Sequence, residues 1–367
     1  KDIVHCAITV HSRLGPGLAL ERVKRAGGES KHSFLRTAKW LRLFFATLNC
    51  EIKEREFAKE GTFQENKELI RKNILTKIDV LALFLVMNAI KSWTVSETMW
   101  AKVEPLIPSL KREKGRKYRR KPGGGRKPLE ARKVFEGIVY VLRTGCQWKA
   151  LPEERFGSAS SIHKYFQAWK RAGVFVRLWR KGLAEYDELE GIAWAWQSID
   201  GAMVKAPLAQ EAVGPNPQIG EKKGSKRSLL VDANGIPLSI VVGGAHVHDV
   251  KLLEPTLDQI VTERPPAQEP LKESLCADKG YVGEPAQKAI EERHYKPHIR
   301  QRGEEIAEKR RNPRAQARRW VVERTHSWLN RYRKLLVRFE KTALSFEGLL
   351  ELACALIVFR NVIVIYG

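Results

Sequence analysis

The segment 228–244, SLLVDANGIPLSIVVGG, constrains the fold of this chain more than any other. Two β-rich apolar runs flank Asn234-Gly235, a dipeptide that accepts the positive φ angles of a tight two-residue turn, so the segment reads as an antiparallel hairpin. Around it the pattern stays β-like. AWQSIDGAMVK (195–205) reads as a strand, and Leu275 to Asp278 as a short one. Residues 214–226 read as a polar loop, Val250 to Val261 as a helix, 263–270 as a proline-rich loop and Pro285 to Arg293 as a second helix. Long helical stretches follow at about 314–336 and from Ser345 to near Ile363. Strands first paired antiparallel and then alternating with helices predict a mixed α/β domain over 191–367.

The preceding segment has another period. Val134, Ile138, Val141 and Leu142 recur at helical spacing, with a stop expected near Gly145. Pro152 and Gly157 punctuate a loop, and Ser158 or Ser160 is placed to cap a second helix running to about Lys170. Two helices joined by a turn, the second bearing His163, Lys164, Gln167, Lys170 and Arg171, have a helix-turn-helix pattern, although any packed pair with a basic solvent face looks the same. This gives a helical, DNA-binding domain at 96–190. Within it KREKGRKYRRKPGGGRK (111–127) reads as a basic linker or phosphate-contacting arm. Residues 1–95 form an uncertain N-terminal segment.

Charge narrows the partners. Sixty-six basic against forty-two acidic residues leave 66 − 42 = +24, more than solubility requires, and make a polyanion such as nucleic acid the natural partner. No apolar run is long and uninterrupted enough to span a bilayer: 80–87 is short, and 349–366 contains Glu351 and Arg360. Five scattered cysteines without a CxxC pair suggest neither a zinc ribbon nor a disulfide framework, and fit a reducing cytoplasm.

Three acids stand where regular structure holds them: Asp200 ending the strand in SIDG, Asp278 ending that in LCADKGY, and Glu323 within RRWVVERTHSWLNRYRK. A carboxylate at a buried strand end is costly unless its charge is compensated, and carboxylates are the ligands hard divalent cations prefer. Phosphodiester cleavage uses such a site, with two ions roughly 3.5–4 Å apart activating the attacking oxygen and holding the leaving one. Taken singly, each acid also has an ordinary reading: Asp200 and Asp278 as turn residues, Glu323 as the partner of Arg319 or Arg324. Asp232 reads as a turn residue. His248-Asp249 reads either as a metal or DNA contact or as a pair that orders its loop, and His326 as a DNA or structural contact. Arg324, Arg331, Arg333 and Lys334 share the helix of Glu323 as either a solvated face or a phosphate track. Most tryptophans belong to the core, with Trp320 the best candidate for exposure and base stacking.

Residues from about Trp100 to the C-terminus resemble bacterial insertion-sequence transposases of the insertion-sequence-five group. The landmarks are TGCQWKALPEERFGSASSIHKYFQAW, SIDGAMVK, GSKRSLLVDANGIPLSIVVGGAHVHD, CADKGYVGE and RRWVVERTHSWLNRYRKL, in that order. The resemblance implies an RNase-H-like catalytic domain and a DDE transposase that binds terminal inverted repeats. It further implies that Asp200, Asp278 and Glu323 hold two Mg²⁺ or Mn²⁺ ions, and that Arg319 belongs to the signature around the Glu. Lys164, Lys170, Arg171, Arg319, Arg324, Arg331 and Lys334 are then the expected DNA contacts, in a cytoplasmic, nucleoid-associated homodimer or larger assembly. The competing reading is a decayed DNA-binding repressor of related elements. One departure stands out: the signature commonly has Tyr three residues before the Arg and Lys seven after the Glu, where this chain has Gln316 and Asn330. IVHCAITVHSRLGPGL (3–18) resembles the start of a nuclease-like family named for a GxxExxY pattern. Glu21 is one residue out of place there and the Tyr is missing, so nothing catalytic carries over.

Overall fold

The computed structural model describes residues 93–108, 117, 127–220, 222–266, 273–299, 311, 320–363 and 365. The expectations for 1–92, for most of 111–127, and for Gln316 and Arg319 lie outside the described residues.

Helices α1 (Glu97–Val103), α2 (Ala131–Thr144), α3 (Glu153–Phe156), α4 (Ala159–Arg171) and α5 (Val174–Leu189) precede the sheet. The amphipathic spacing read from the sequence buries Val134, Ile138, Val141 and Leu142, and α2 stops at Gly145, whose φ of 74° is open to glycine at little cost. Ser158 occupies the N-cap position of α4, but its side chain makes no capping hydrogen bond.

Six strands follow: β1 (Trp196–Lys205), β2 (Gly214–Asn216), β3 (Lys222–Asp232), β4 (Pro237–Gly244), β5 (Glu273–Ala277) and β6 (Tyr295–Ile299). β3 pairs antiparallel with β1 on one side and with β4 and the short β2 on the other. β1 then pairs parallel with β5, and β5 with β6. The sheet is therefore mixed, as expected. The hairpin turn falls at Asn234-Gly235: Asp232 accepts from the amides of Asn234 and Ile236 through Oδ1, and from that of Ala193 through Oδ2. It is the turn residue the sequence suggested.

Two sequence expectations are corrected. Residues 214–226 are not simply a loop, because β2 and the start of β3 lie within them. The run KKGSKRS looks solvated, yet Lys226 and Arg227 lie buried on the central strand. β6 also went unread, since Tyr295 is its one fully buried side chain and Pro297 interrupts the β pattern.

Helices α6 (Asp249–Asp258), α7 (Glu284–Glu291), α8 (Trp320–Asn330) and α9 (Ala343–Phe359) complete the fold. Side chains paired across β1 and β3 share a face, and α6 reaches one face through Thr256, which donates to Ser228 Oγ. α8 covers the other, where Arg227 meets Asn330. α9 is apolar all round and buried along most of its length, packing against α5, α8 and β4. The residue-190 boundary falls between α5 and β1, with a shared core across it: Trp179 Nε1 donates to Pro237 O at 3.0 Å and Arg180 to Val261 O at 2.7 Å. All described residues lie in one compact unit, Met87–Gly367. None of their helices is long and apolar enough to cross a membrane.

Candidate metal centre

Parallel pairing of β1 with β5 puts Ile199 beside Ala277. The next residue after each is an aspartate, so Asp200 and Asp278 stand side by side; Asp200 lies in the middle of β1, which runs on to Lys205 instead of ending there as the sequence suggested, and Asp278 directly follows β5. Asp278 caps the following turn, accepting from the Lys279 amide at 2.6 Å.

Glu323 arrives on α8, which packs against β1 and β3. Its neighbours fix the helix to the hairpin turn. Arg324 donates to Asn234 O at 2.5 Å, and Thr325 Oγ1 to Gly235 O at 2.7 Å. A Cβ on Gly235 would stand 2.9 Å from Thr325 Oγ1, so glycine serves here both for φ and for close approach. The Asn-Gly turn thus seats the helix that carries the third acid.

A fourth carboxylate joins them. Asp249, in the first turn of α6, places Oδ1 where a Cβ on Gly201 would be only 2.2 Å away. The glycine after Asp200 leaves the space that Asp249 fills. Lys226 Nζ lies 3.1 Å from that oxygen, an ion pair without the direction of a hydrogen bond, and donates to Val247 O at 2.7 Å.

The charges act on one another. Burial raises the Asp200 pKa to about 6, against the counter-effect of the Gly201 amide, and Asp278, Asp249 and Glu323 push it in the same direction as burial. Three like charges around a partly buried acid are the electrostatic mark of a cation site. His326 Nε2 faces Asp200 Oδ2 at 4.0 Å. Burial first, then the Arg227 guanidinium, lower its pKa to about 3, so this contact is between a neutral imidazole and a carboxylate. The Asp200 main chain is near enough to favour the charged imidazole slightly, but neither ring nitrogen has a hydrogen bond of ordinary geometry.

The donor set is all carboxylate oxygen, which suits a hard divalent cation, and a cation relieves the repulsion on Asp200. Ligand geometry is less developed than the charge. Among the described residues no three His, Cys, Asp or Glu side chains already stand as a group able to hold a metal ion.

The expected DNA contacts divide. Lys164 and Arg171 are exposed on α4, and Arg331 is half-buried after α8. Three others have partners within the protein itself. Lys170 pairs with Glu351 at 2.6 Å and Glu347 at 3.6 Å, turning part of the basic face of α4 onto α9. Lys334 is buried with Glu340 at 3.3 Å. Arg324 is sandwiched between Trp320 and Trp328, 4.7 and 5.0 Å from the ring centres. Trp320 is exposed (45 %), while Trp169 and Trp179 are core, as expected.

Sequence reasoning missed Lys226 and Arg227, and left Asp249 undecided. Arg227 donates to Asn330 Oδ1 at 2.6 Å, so the position that departs from the signature holds an acceptor for a buried guanidinium. The sequence signal for Asp249 was the His248-Asp249 pair; its place beside Gly201 follows from the fold.

Comparison with known proteins adds the following. A family model described as "Putative transposase of IS4/5 family" matches residues 95–179, and one described as "Transposase DDE domain" matches 275–360, which contains Asp278 and Glu323. A protein described as "Putative transposase for insertion sequence element IS402", from Burkholderia cepacia, is 38% identical over 150 residues, 40% of this chain and 69% of that one. The "Insertion element IS402 uncharacterized 16.2 kDa protein" of the same organism is 31% identical over 126 residues, 34% of this chain and 82% of that one. The solved "Mos1 transposase paired-end complex with left transposon end" covers 66% of this chain and 82% of its own at 11% identity and a TM-score of 0.22, too low to carry an argument.

Proposed function

The chain belongs to the insertion-sequence transposases of the IS4/5 family, and on that premise we propose that Asp200, Asp278 and Glu323 hold two divalent cations for cutting and joining its own element's ends. As a DDE transposase it is an enzyme of DNA cleavage and strand transfer that depends on divalent metal. The observation that supports the assignment of residues is the Ile199–Ala277 register, which sets Asp200 in mid-β1 beside Asp278 just after β5, with Glu323 within electrostatic reach. The sheet order, three antiparallel strands continued by two parallel ones beside β1, supports an RNase-H-like catalytic fold.

When bound, Mg²⁺ or Mn²⁺ activates the attacking water or 3′-hydroxyl and stabilises the leaving oxygen. This chain's residues do the rest. The paired strands β1 and β5 and the clamped helix hold the carboxylates in place. The 111–127 segment, Lys164, Arg171, Arg319 and Arg331 meet phosphates, which fix position without reading sequence. The helices over 129–171 read the terminal inverted repeats, and the enzyme works as a homodimer or larger assembly on DNA, in the cytoplasm at the nucleoid. Asn330 in place of the signature lysine fits this scheme, because Arg227 brings a positive charge to its side chain.

The test is incubation of the full chain with a labelled duplex carrying the element's ends, in Mg²⁺, in Mn²⁺ and with chelator. Nicking at the end that needs the cation is expected. Sequence-specific binding without nicking in either metal would instead identify a decayed, DNA-binding repressor.

A further inference from the structure

Helix α8 turns one row of side chains toward the sheet face that carries Asp200. Glu323, His326 and Asn330 stand at i, i+3 and i+7, a spacing that keeps them on one side of the helix. On the sheet, Arg227 pairs in register with Ala202, two residues beyond Asp200 on β1, so Arg227 and Asp200 share that face. The two ends of the row have roles already: Glu323 is one of the three acids, and Asn330 accepts from Arg227 at 2.6 Å. His326 in the middle has none. It is only 7% exposed, its Nε2 faces Asp200 Oδ2 at 4.0 Å, and neither ring nitrogen makes an ordinary hydrogen bond.

Packing alone is a poor reason for a histidine there. Leucine or phenylalanine fills such a space without burying two ring nitrogens, each of which costs free energy when desolvated without a partner. The neighbours of the ring fit another use. Arg227 is 1% exposed, is held by Asn330, has Nε and Nη1 without hydrogen bonds, and is near enough to disfavour a charged imidazole. An arginine can only donate, and an ionised carboxylate can only accept. An uncharged imidazole has one nitrogen of each kind, so the tautomer with its proton on Nε2 presents a donor to Asp200 and leaves Nδ1 free to accept. A movement of about 1 Å brings Nε2 and Oδ2 to hydrogen-bond distance.

We infer that His326 is a positioning residue for Asp200: its Nε2–H orients the carboxylate, and Arg227, braced by Asn330, fixes the ring. This rests on the reading of Asp200, Asp278 and Glu323 as the metal-binding acids. His326 then touches neither metal nor DNA and acts through Asp200 alone, as hydrogen-bonded outer partners of a metal site do when they aim its ligands. The departure from the signature at residue 330 acquires a use as well, because a lysine there would set a second cation against Arg227, whereas asparagine accepts from it.

The test is Mn²⁺ binding to the full chain without DNA, followed by electron paramagnetic resonance of the free ion, beside urea unfolding with chelator. The chains compared are wild type, His326→Leu, His326→Gln and Asp278→Asn. His326→Leu is expected to weaken Mn²⁺ binding about 10- to 100-fold, yet to unfold at the same or a higher urea concentration, since an apolar side chain suits the space as packing. His326→Gln keeps an N–H donor near the place of Nε2 and is expected to recover most of the lost affinity. Unchanged affinity in His326→Leu beside a large loss in Asp278→Asn would overturn the proposal and leave the three-acid reading intact. Equal losses in His326→Leu and His326→Gln would overturn it too, because the donor would then not matter. Unchanged affinity in all three variants would overturn the two readings together. Should His326→Leu not fold, His326→Phe keeps a flat ring without a donor, and the same expected loss and the same overturning results apply to it.

Discussion

Two groups of charged side chains in this molecule are arranged differently. Beside α9, Lys170 meets Glu351 and Lys334 meets Glu340, each charge answered by an opposite one at 2.6 and 3.3 Å. Between the middle of β1 and the end of β5, Asp200 is pressed by burial and then by Asp278, Asp249 and Glu323, and Lys226 pairs with Asp249. The first group sets opposite charges face to face. In the second, like charges add to the raised pKa of Asp200, and a cation bound there would lower it.

The comparison breaks most visibly at Glu323. Glu323→Gln keeps the shape of the side chain and removes a charge from the like-charged group, and nicking of the labelled end should fall by about a thousandfold or more, the scale of loss when one member of a catalytic unit is removed. Urea unfolding should change little. The opposite profile is expected for Lys170→Met, which leaves Glu351 buried without its cation. Stability measured by urea at pH 7 should drop by about 3 kcal/mol. Much of that should return as pH falls and the carboxyl takes up a proton, since burial already raises its pKa.

pH sharpens the contrast at Asp200. Its folded pKa of about 6 lies above the ordinary 3.8, so the folded, cation-free protein binds this proton more tightly than the unfolded chain. That contribution is fully present below about pH 4 and is lost as pH rises through 6, by at most about 3 kcal/mol. Thermal unfolding with chelator between pH 4 and 7.5 measures it, and Asp200→Asn should flatten the slope. Smallest of all is Trp320→Ala, whose exposed ring should alter stability within about 0.5 kcal/mol. A larger loss would show that the stack with Arg324 helps to seat α8.

The hairpin, the first strand and the helix after residue 130 could be read from the chain because each is a local signal: an Asn-Gly turn between apolar runs, a β-rich run, a helical spacing. What could not be read depends on partners far apart in sequence. The ion pairs of Lys170 and Lys334 form only once α9 and Glu340 are folded against them. KKGSKRS looks like a loop until Asp249 and Asn330 receive Lys226 and Arg227. β6 has too few apolar residues to reveal itself without its neighbour β5. Asp249 was visible only as part of His248-Asp249, and its place beside Gly201 follows from the packing of α6 on the sheet.

The account stands most directly on Asp278. Wild type and Asp278→Asn should be compared for binding and nicking of a duplex carrying the element's ends in Mg²⁺, with DNA affinity measured in the same samples. Loss of nicking with binding retained is the predicted result. Nicking at the wild-type rate by Asp278→Asn would contradict the assignment of the metal centre to Asp200, Asp278 and Glu323.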